Sequence, residues 1–370
     1  SQFDVDLDSH LPCDTYSQAD FSLFQPDHMH GDRAMAYYVF QDFLNLRTLE
    51  PHPFPGSLFI GSAELSKALM SDRDGISGEY PRGLPTVYDF SYENTDVFAG
   101  IDRLTQSLAS QSSPSLAYFH LWSPHGPYNA RKEFVGIFDD DLKWHSKPRH
   151  PIAGDDFPQE HMREKHREYD ECIAEVDAEF GRLISDLEKS GILQNSYVIV
   201  TSDHGELFER GEIGHASALM YAPVTHIPLL ISAPGQATRS DFHSLTSIMD
   251  LLPTILQVTG QETPDWIEGR LLPGFGGAED VSRSIFSMVA KDNATFQPIE
   301  RATFTMIKGP HELLFFTGYK DHQDRFELYN LQEDPDELQD LFSKDITTAS
   351  QMKDELLEAV NAANRNYQKK

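Results

Sequence analysis

The stretch from Tyr197 to His215 reads YVIVTSDHGELFERGEIGH. Val198, Ile199 and Val200 are apolar and β-branched, the composition of a buried strand. The run stops at Thr201-Ser202-Asp203-His204-Gly205-Glu206, so a strand end delivers a carboxylate and an imidazole side by side. In open α/β sheets the C-terminal strand ends are where ligands bind. Adjacent oxygen and nitrogen donors suit a divalent cation. Asp203 and His204 are therefore candidate metal ligands; the competing reading is a pair that only caps the turn. His215, after a loop rich in Glu and Gly, is a candidate contact for a bound oxyanion, against a plain loop histidine. Glu206 and Glu209 read as facing solvent or bracing the loop rather than ligating.

Upstream, Leu116 to Leu121 (LAYFHL) predicts a second buried strand, ending in Trp122-Ser123-Pro124-His125-Gly126-Pro127-Tyr128. His125 is a candidate proton donor or anion contact; otherwise it is a turn histidine bonded to backbone. Between the two strands, Gln159 to Lys189 has helical periodicity. Tyr169, Ile173, Val176, Phe180, Leu183 and Leu187 form its apolar stripe, Arg163, Glu164, Arg167 and Glu168 a solvated face, and Gly191 its stop. Strand, helix, strand in this order predicts a crossover in a parallel sheet, hence an α/β fold with His125 and Asp203 at one edge.

Downstream, Pro228 to Ala233 predicts a third buried strand and Thr246 to Val258 a helix containing Pro253. From Ser284 the texture changes to short strands at hairpin spacing, with turns at Gly309-Pro310 and Gly318, and then a helical tail from Asp345. The division expected is a domain over 1–282 and a smaller C-terminal antiparallel sheet with a helix over 283–370. Further helices are expected over Arg33–Leu46, Glu64–Met70 and Asn94–Ser110. The run Asp139-Asp140-Asp141 lacks the spacing of a calcium loop.

The 370 residues carry 59 acidic and 30 basic side chains, a formal charge of -29. That balance opposes nucleic acid and anionic membrane surfaces as partners. It also requires any anion site to be locally positive, which a bound metal would supply. Two cysteines make no disulfide framework, and no apolar run approaches the roughly 18 residues of a membrane span. The chain opens SQFDVDLDS, without Met and without a signal peptide. Compartment and oligomeric state are left open by these features.

Taken together, these residues resemble the sulfatase family of the alkaline phosphatase superfamily. His120–Tyr128 resembles its HLW-PHGPY strand and loop, Thr201–Glu206 its TSDHGE element, and Gly214-His215 its Gly-His or Gly-Lys element. Ile227–Gly235 resembles a VPL(I/L)I strand with its Pro-Gly. Asp250, Pro253, Thr254, Leu256 and Gly260 match a D--PT-L---G helix, and Glu327–Glu337 matches ELY-L--DP-E. The resemblance implies an alkaline phosphatase-like sandwich, with a mainly parallel central sheet flanked by helices. It implies hydrolysis of a small-molecule or carbohydrate sulfate ester, with a divalent metal (calcium first, manganese or zinc as alternatives). Asp203 and His204 would ligate the metal, His125 would contact the sulfate and help the leaving group, and His215 would bind sulfate oxygens. Position 204 is Asn in many sulfatases and His in others and in related phosphonate and phosphate hydrolases. A phosphodiesterase or phosphonate monoester hydrolase is therefore the alternative.

The family's nucleophile is a formylglycine made from Cys or Ser in C/S-x-P/A-x-R, and no such motif occurs in this chain. Cys13 is followed by Asp14-Thr15-Tyr16-Ser17; Cys172 has Ala174 but no Arg, and falls inside the predicted helix. The family's first strand, with its paired Asp ligands, has no counterpart either. The expectation is a chain without the N-terminal nucleophile segment and inactive alone. A non-catalytic sulfatase-like binding protein is the remaining reading.

Overall fold

Val198–Thr201 forms strand β1 and Leu229–Ser232 strand β2; they pair antiparallel, Val198 opposite Ser232 and Thr201 opposite Leu229. This computed structural model describes residues 79–82, 101–102, 105–106, 108, 114–121, 123–138, 145–290, 293 and 297–365. The chain divides into two compact units, Ser1–Leu142 with Arg167–Ile192, and Lys143–His166 with Leu193–Lys370. The expected helices at Arg33–Leu46 and Glu64–Met70, Cys13 and the run Asp139–Asp141 lie outside the described residues.

The strand expected at LAYFHL is corrected. Residues 116–121 lie in no ladder, and Leu116, Tyr118 and Phe119 are 72%, 81% and 43% exposed. Apolar composition favours burial, but a strand also needs a neighbour for its N–H and C=O groups. No described segment supplies one here, and every named strand pair among the described residues is antiparallel. β2 is corrected too: Leu230 is exposed, so the strand alternates faces instead of being buried on both.

In the first unit, residues 101–102, 105–106 and 108 are helical, within the expected Asn94–Ser110 helix, and Ile101 is buried. The long helix α1 spans Gln159–Lys189, with its stop at Gly191, whose φ is +78°. Its inward face follows the predicted stripe at Leu183 and Leu187 but departs from it upstream. Ile173 is exposed, while Glu168, Glu171 and Glu175 are buried beside Cys172, Leu183 and Leu187. The cause is a set of donors facing the acids. Arg82 pairs with Glu171 and comes within 3.8 Å of Glu168; the Gly136 N–H donates to Glu171 at 2.7 Å. Tyr80 Oη and the Arg131 N–H donate to Glu175. Buried carboxylates persist where such partners meet them.

In the second unit, β3 (Ser284–Val289), β4 (Ala302–Lys308), β5 (His311–Thr317) and β6 (Arg325–Asn330) form an antiparallel meander in that order, with left-handed glycines at the turns Gly309 and Gly318. β4 and β5 are buried on both faces because period-2 alternation sends successive side chains to two cores. Leu313 and Phe315 pack with Phe304, Met306 and Leu328 against Met352 and Leu356 of α4 (Ile346–Arg365). Leu314, Phe316 and Tyr329 pack on the other side against Leu207, Leu219, Tyr221 and Val224. The sheet is thus the floor on which the segment after β1 is built.

Two short helices complete the unit, α2 (Ala222–Thr225) and α3 (Leu251–Val258). α3 follows a 3-10 turn closed by a capping box between Ser247 and Asp250. Pro253 falls in its first turn, where no intrahelical N–H is required. Asp250 is fully buried; both of its oxygens accept from Arg283, at 2.6 and 2.8 Å, and one accepts the Arg270 N–H.

Candidate metal and anion site

β1 ends at Thr201, whose hydroxyl donates to the Pro228 carbonyl at 2.9 Å and ties the strand end to its neighbour. Asp203 and His204 come next. The His204 N–H donates to Asp203 Oδ1 at 3.1 Å, and His204 Nε2 lies 3.7 Å from the same oxygen. The chain then dives inward. A Cβ on Gly205 would stand 2.1 Å from the Pro223 carbonyl oxygen, so only glycine fits, and its N–H donates to Val224 O at 2.8 Å.

Beyond it the loop closes on itself. Leu207 and Gly214 exchange backbone hydrogen bonds, with Leu207 and Phe208 buried at the centre. This closure returns His215 to the strand end. Its ring stacks on that of His204, centroids 3.6 Å apart and planes 22° from parallel. The loop thus brings His215 onto His204, the neighbour of Asp203. Glu206 and Glu209 are buried rather than solvent-facing. Glu206 Oε1 is 3.1 Å from His215 Nδ1, and Glu209 accepts from Lys147 and pairs with Arg210.

The floor beneath the loop is polar, with Glu327 at its centre. Glu327 of β6 accepts from Tyr221 Oη at 2.6 Å, Tyr329 Oη at 2.8 Å and Arg325 Nε at 2.7 Å, and lies 3.2 Å from His150 Nε2. Burial pushes its carboxyl up, but the hydrogen bonds from His150 and Tyr221 outweigh burial and hold it at about 2. Glu337 accepts the Ala222 N–H, and Arg210 donates to the Glu337 carbonyl while its guanidinium lies 3.7 Å from the Tyr221 ring centroid. The ELY-L--DP-E element therefore clamps the segment that follows His215. Composition offered no sign of this role, because its partners lie more than a hundred residues upstream.

His125 belongs to the first unit. Its Nδ1 lies 2.8 Å from the Gly126 carbonyl, and the segment after it is held to α1 by the amide contacts of Arg131 and Gly136 and by an edge-on contact of Tyr128 with Tyr169. His204 repeats the arrangement, with Nδ1 2.8 Å from the Gly205 carbonyl. In both rings Nδ1–H faces an oxygen, which leaves Nε2 as the nitrogen for the metal or the proton that each ring would handle. Cys172 is buried, and burial with the Glu175 charge pushes its thiol well up, so it is no nucleophile.

The donors present fit a divalent cation as two of its ligands. The Asp203 carboxylate is about half exposed, and its oxygen and His204 Nε2 are 3.7 Å apart, a spacing that one ion can span. Four or more ligands are the rule, and among the described residues no group of three or more His, Cys, Asp or Glu side chains converges.

The chain is similar to known proteins in sequence and in fold. The Sulfatase family model matches residues 68–261, more than half of the chain, and the model described as N-sulphoglucosamine sulphohydrolase, C-terminal, matches residues 211–364. Arylsulfatase K of Bos taurus is 30% identical over 206 residues, covering 52% of this chain and 36% of that protein. N-acetylglucosamine-6-O-sulfatase of Bacteroides thetaiotaomicron is 30% identical over 183 residues, 48% of this chain and 32% of that one. The chain spans between 18% and 41% of the length of such curated relatives. In fold it is similar to the phosphonate monoester hydrolase of Agrobacterium radiobacter, with a TM-score of 0.64 at 20% identity, covering 82% of this chain and 68% of that one. The fold is that of the alkaline phosphatase-like hydrolases. The Sulfatase match covers more than half of the chain and contains both the TSDHGE strand end and the returning histidine, and the chain belongs to the sulfatase family.

Proposed function

We propose that this chain carries part of the active site of a sulfuric ester hydrolase acting on a small-molecule or carbohydrate sulfate. The observation that carries the reading is the ring-on-ring placement of His204 and His215 beside Asp203. Asp203 and His204 would hold a divalent metal, calcium first, with manganese or zinc as the alternatives that an imidazole ligand keeps open. When bound, the metal supplies positive charge against the ester's non-bridging oxygens, in a protein whose own charge repels anions. His215 would hold one such oxygen, and His125 would donate a proton to the leaving alkoxide. The role of His125 rests on its loop and on the family resemblance. A formylglycine nucleophile is what the family implies, and residues 1–370 contain no C/S-x-P/A-x-R motif to form one. The reading divides the chain at residue 282 into a catalytic part and a C-terminal α+β subdomain.

A second reading, phosphodiester or phosphonate monoester hydrolysis, is favoured by histidine at position 204. Calorimetry with manganese and calcium tests the metal pair. The chain should bind one of them, and Asp203→Ala or His204→Ala should abolish binding; equal binding by both variants refutes the assignment. The 370-residue chain should turn over neither an aryl sulfate nor an aryl phosphodiester. A rate abolished by His204→Ala would mean that another nucleophile exists, and the preferred ester would decide between the readings.

A further inference from the structure

We infer that Glu206 is a positioning residue, the carboxylate that sets the tautomer and aim of His215; the inference rests on the reading of His215 as an oxyanion contact. The Glu206 side chain is 2% exposed, against 25% for His215, and its Oε1 is 3.1 Å from His215 Nδ1. A carboxylate only accepts, so Nδ1 donates and the ring presents Nε2 on its other side. The approach is built by the loop. The Leu207–Gly214 bridge brings the chain back, and Gly214, at φ +107°, brings its backbone next to the carboxylate: a Cβ there would lie 3.6 Å from Glu206 Oε1.

Glu206 is thus spent on the histidine rather than on a metal, although it sits two residues past His204. The arrangement also explains how two imidazoles stack at 3.6 Å next to a cation site. With Nδ1–H of His204 on the Gly205 carbonyl and Nδ1–H of His215 on Glu206, each ring is pinned at one nitrogen and is not free to flip. Removing the carboxylate leaves His215 in the loop but frees its tautomer and rotation. A short carboxylate cannot reach across the same gap, while an amide oxygen in the same place still accepts from Nδ1–H.

The test is nitrogen-15 NMR of the histidine rings in the 370-residue protein, with the His215 signals assigned by their loss in His215→Ala. In the unsubstituted protein Nδ1 should carry a proton, in the free ring and in the sulfate complex, where Nε2–H holds the anion. In Glu206→Ala the His215 signals should move to a mixture of tautomers, while His150 and the circular dichroism spectrum stay unchanged. Glu206→Gln should restore the Nδ1–H form. Inorganic sulfate, titrated in parallel with manganese present, should bind about tenfold more weakly to Glu206→Ala, the size of one charged hydrogen bond. An unchanged His215 tautomer in a folded Glu206→Ala overturns the positioning role. Sulfate binding untouched by His215→Ala overturns instead the reading of His215, whatever the ring signals show. Should Glu206→Ala fail to fold, Glu206→Gln against Glu206→Asp asks the same question: the longer side chain should keep the tautomer and the shorter should lose it.

Discussion

The segments carrying His125 and His215 are both anchored by buried glutamates, but in different surroundings. The His215 loop stands on a four-stranded sheet with an apolar core on each face, and Glu327 and Glu337 reach it from β6 and the turn beyond. The His125 segment leans on one helix. Glu171 and Glu175 hold backbone amides of Gly136 and Arg131, Arg82 bridges the acids, and the apolar side chains just upstream are exposed. In the first case polar bonds fix the orientation of a segment that hydrophobic burial already holds, each fully buried Leu or Phe contributing about 1.5–3 kcal/mol. In the second case the polar bonds carry much of the anchoring themselves. Damage should therefore be global in the second unit and local in the first.

The sharpest way to break this contrast is Glu327→Ala. It strips the acceptor from two tyrosine hydroxyls and leaves His150 and Arg325 without their carboxylate, all around a buried position. The expected loss is about 3–5 kcal/mol, that of breaking a buried charged network from one side. It should appear as one cooperative shift of the urea midpoint. A loss confined to the His215 loop, with the sheet's amide protection intact, would show that the hub serves the loop alone.

Acid should expose the same hub. The Glu327 carboxyl sits at about 2 in the fold, against an ordinary value of 4.5. Its stabilisation is therefore complete above pH about 4.5 and is lost as pH falls toward 2, roughly 3 kcal/mol in all. In urea melts across that window Glu327→Gln should show a shallower slope than the parent protein; parallel slopes would remove Glu327 from the account. Glu312 of the neighbouring β5 has the opposite sign. Burial, and after it the neighbouring Glu337 carboxylate, raise its carboxyl well above the ordinary value, and both of its oxygens lack hydrogen-bond partners among the described residues. Its contribution is full below pH about 4.5 and declines as pH rises through the raised value. Glu312→Gln should accordingly stabilise the fold at neutral pH, where Glu327→Gln destabilises it.

In the first unit, Glu171→Ala should cost about 2 kcal/mol, since it removes a carboxylate that serves both a guanidinium and a backbone amide. Hydrogen exchange should quicken at Gly136 and through 123–138 and leave 205–215 unaffected. Faster exchange in both segments would mean that the anchors are not independent.

Much of the architecture is legible from the chain itself, for reasons that differ by region. The C-terminal sheet is readable because its pattern is local: alternation within each strand and glycine turns between them specify a meander without distant partners. The strand end at Thr201 and the pairing of Asp203 with His204 are readable because β-branched residues stop abruptly at polar ones. LAYFHL misleads because hydrophobicity says that a segment seeks burial, not which neighbour will supply the ladder. The inward acids of α1 mislead because helical periodicity ranks Glu168, Glu171 and Glu175 by their polarity, while Arg82 and the Gly136 and Arg131 amides that meet them lie far away in sequence. The burial of Glu206 was hidden for the same reason, since only the Leu207–Gly214 closure brings His215 to it.

The smallest effect belongs to Lys132, and it tests whether burial or mere ion pairing separates the two anchors. Lys132 Nζ lies 2.7 Å from Glu79 Oε1 and joins the 131–136 segment to the 79–82 segment, which Arg82 in turn ties to Glu171 of α1, but the Lys132 side chain is 55% exposed where that of Glu171 is 1% exposed. Water and salt screen an exposed pair, and holding a long lysine in one geometry costs side-chain entropy. Lys132→Ala should therefore leave the urea midpoint and the Gly136 exchange rate where they are, at low and at high salt. A shift comparable to that of Glu171→Ala would mean that charge across the 79–82 and 131–136 segments, rather than a buried carboxylate on backbone amides, holds the His125 segment in place.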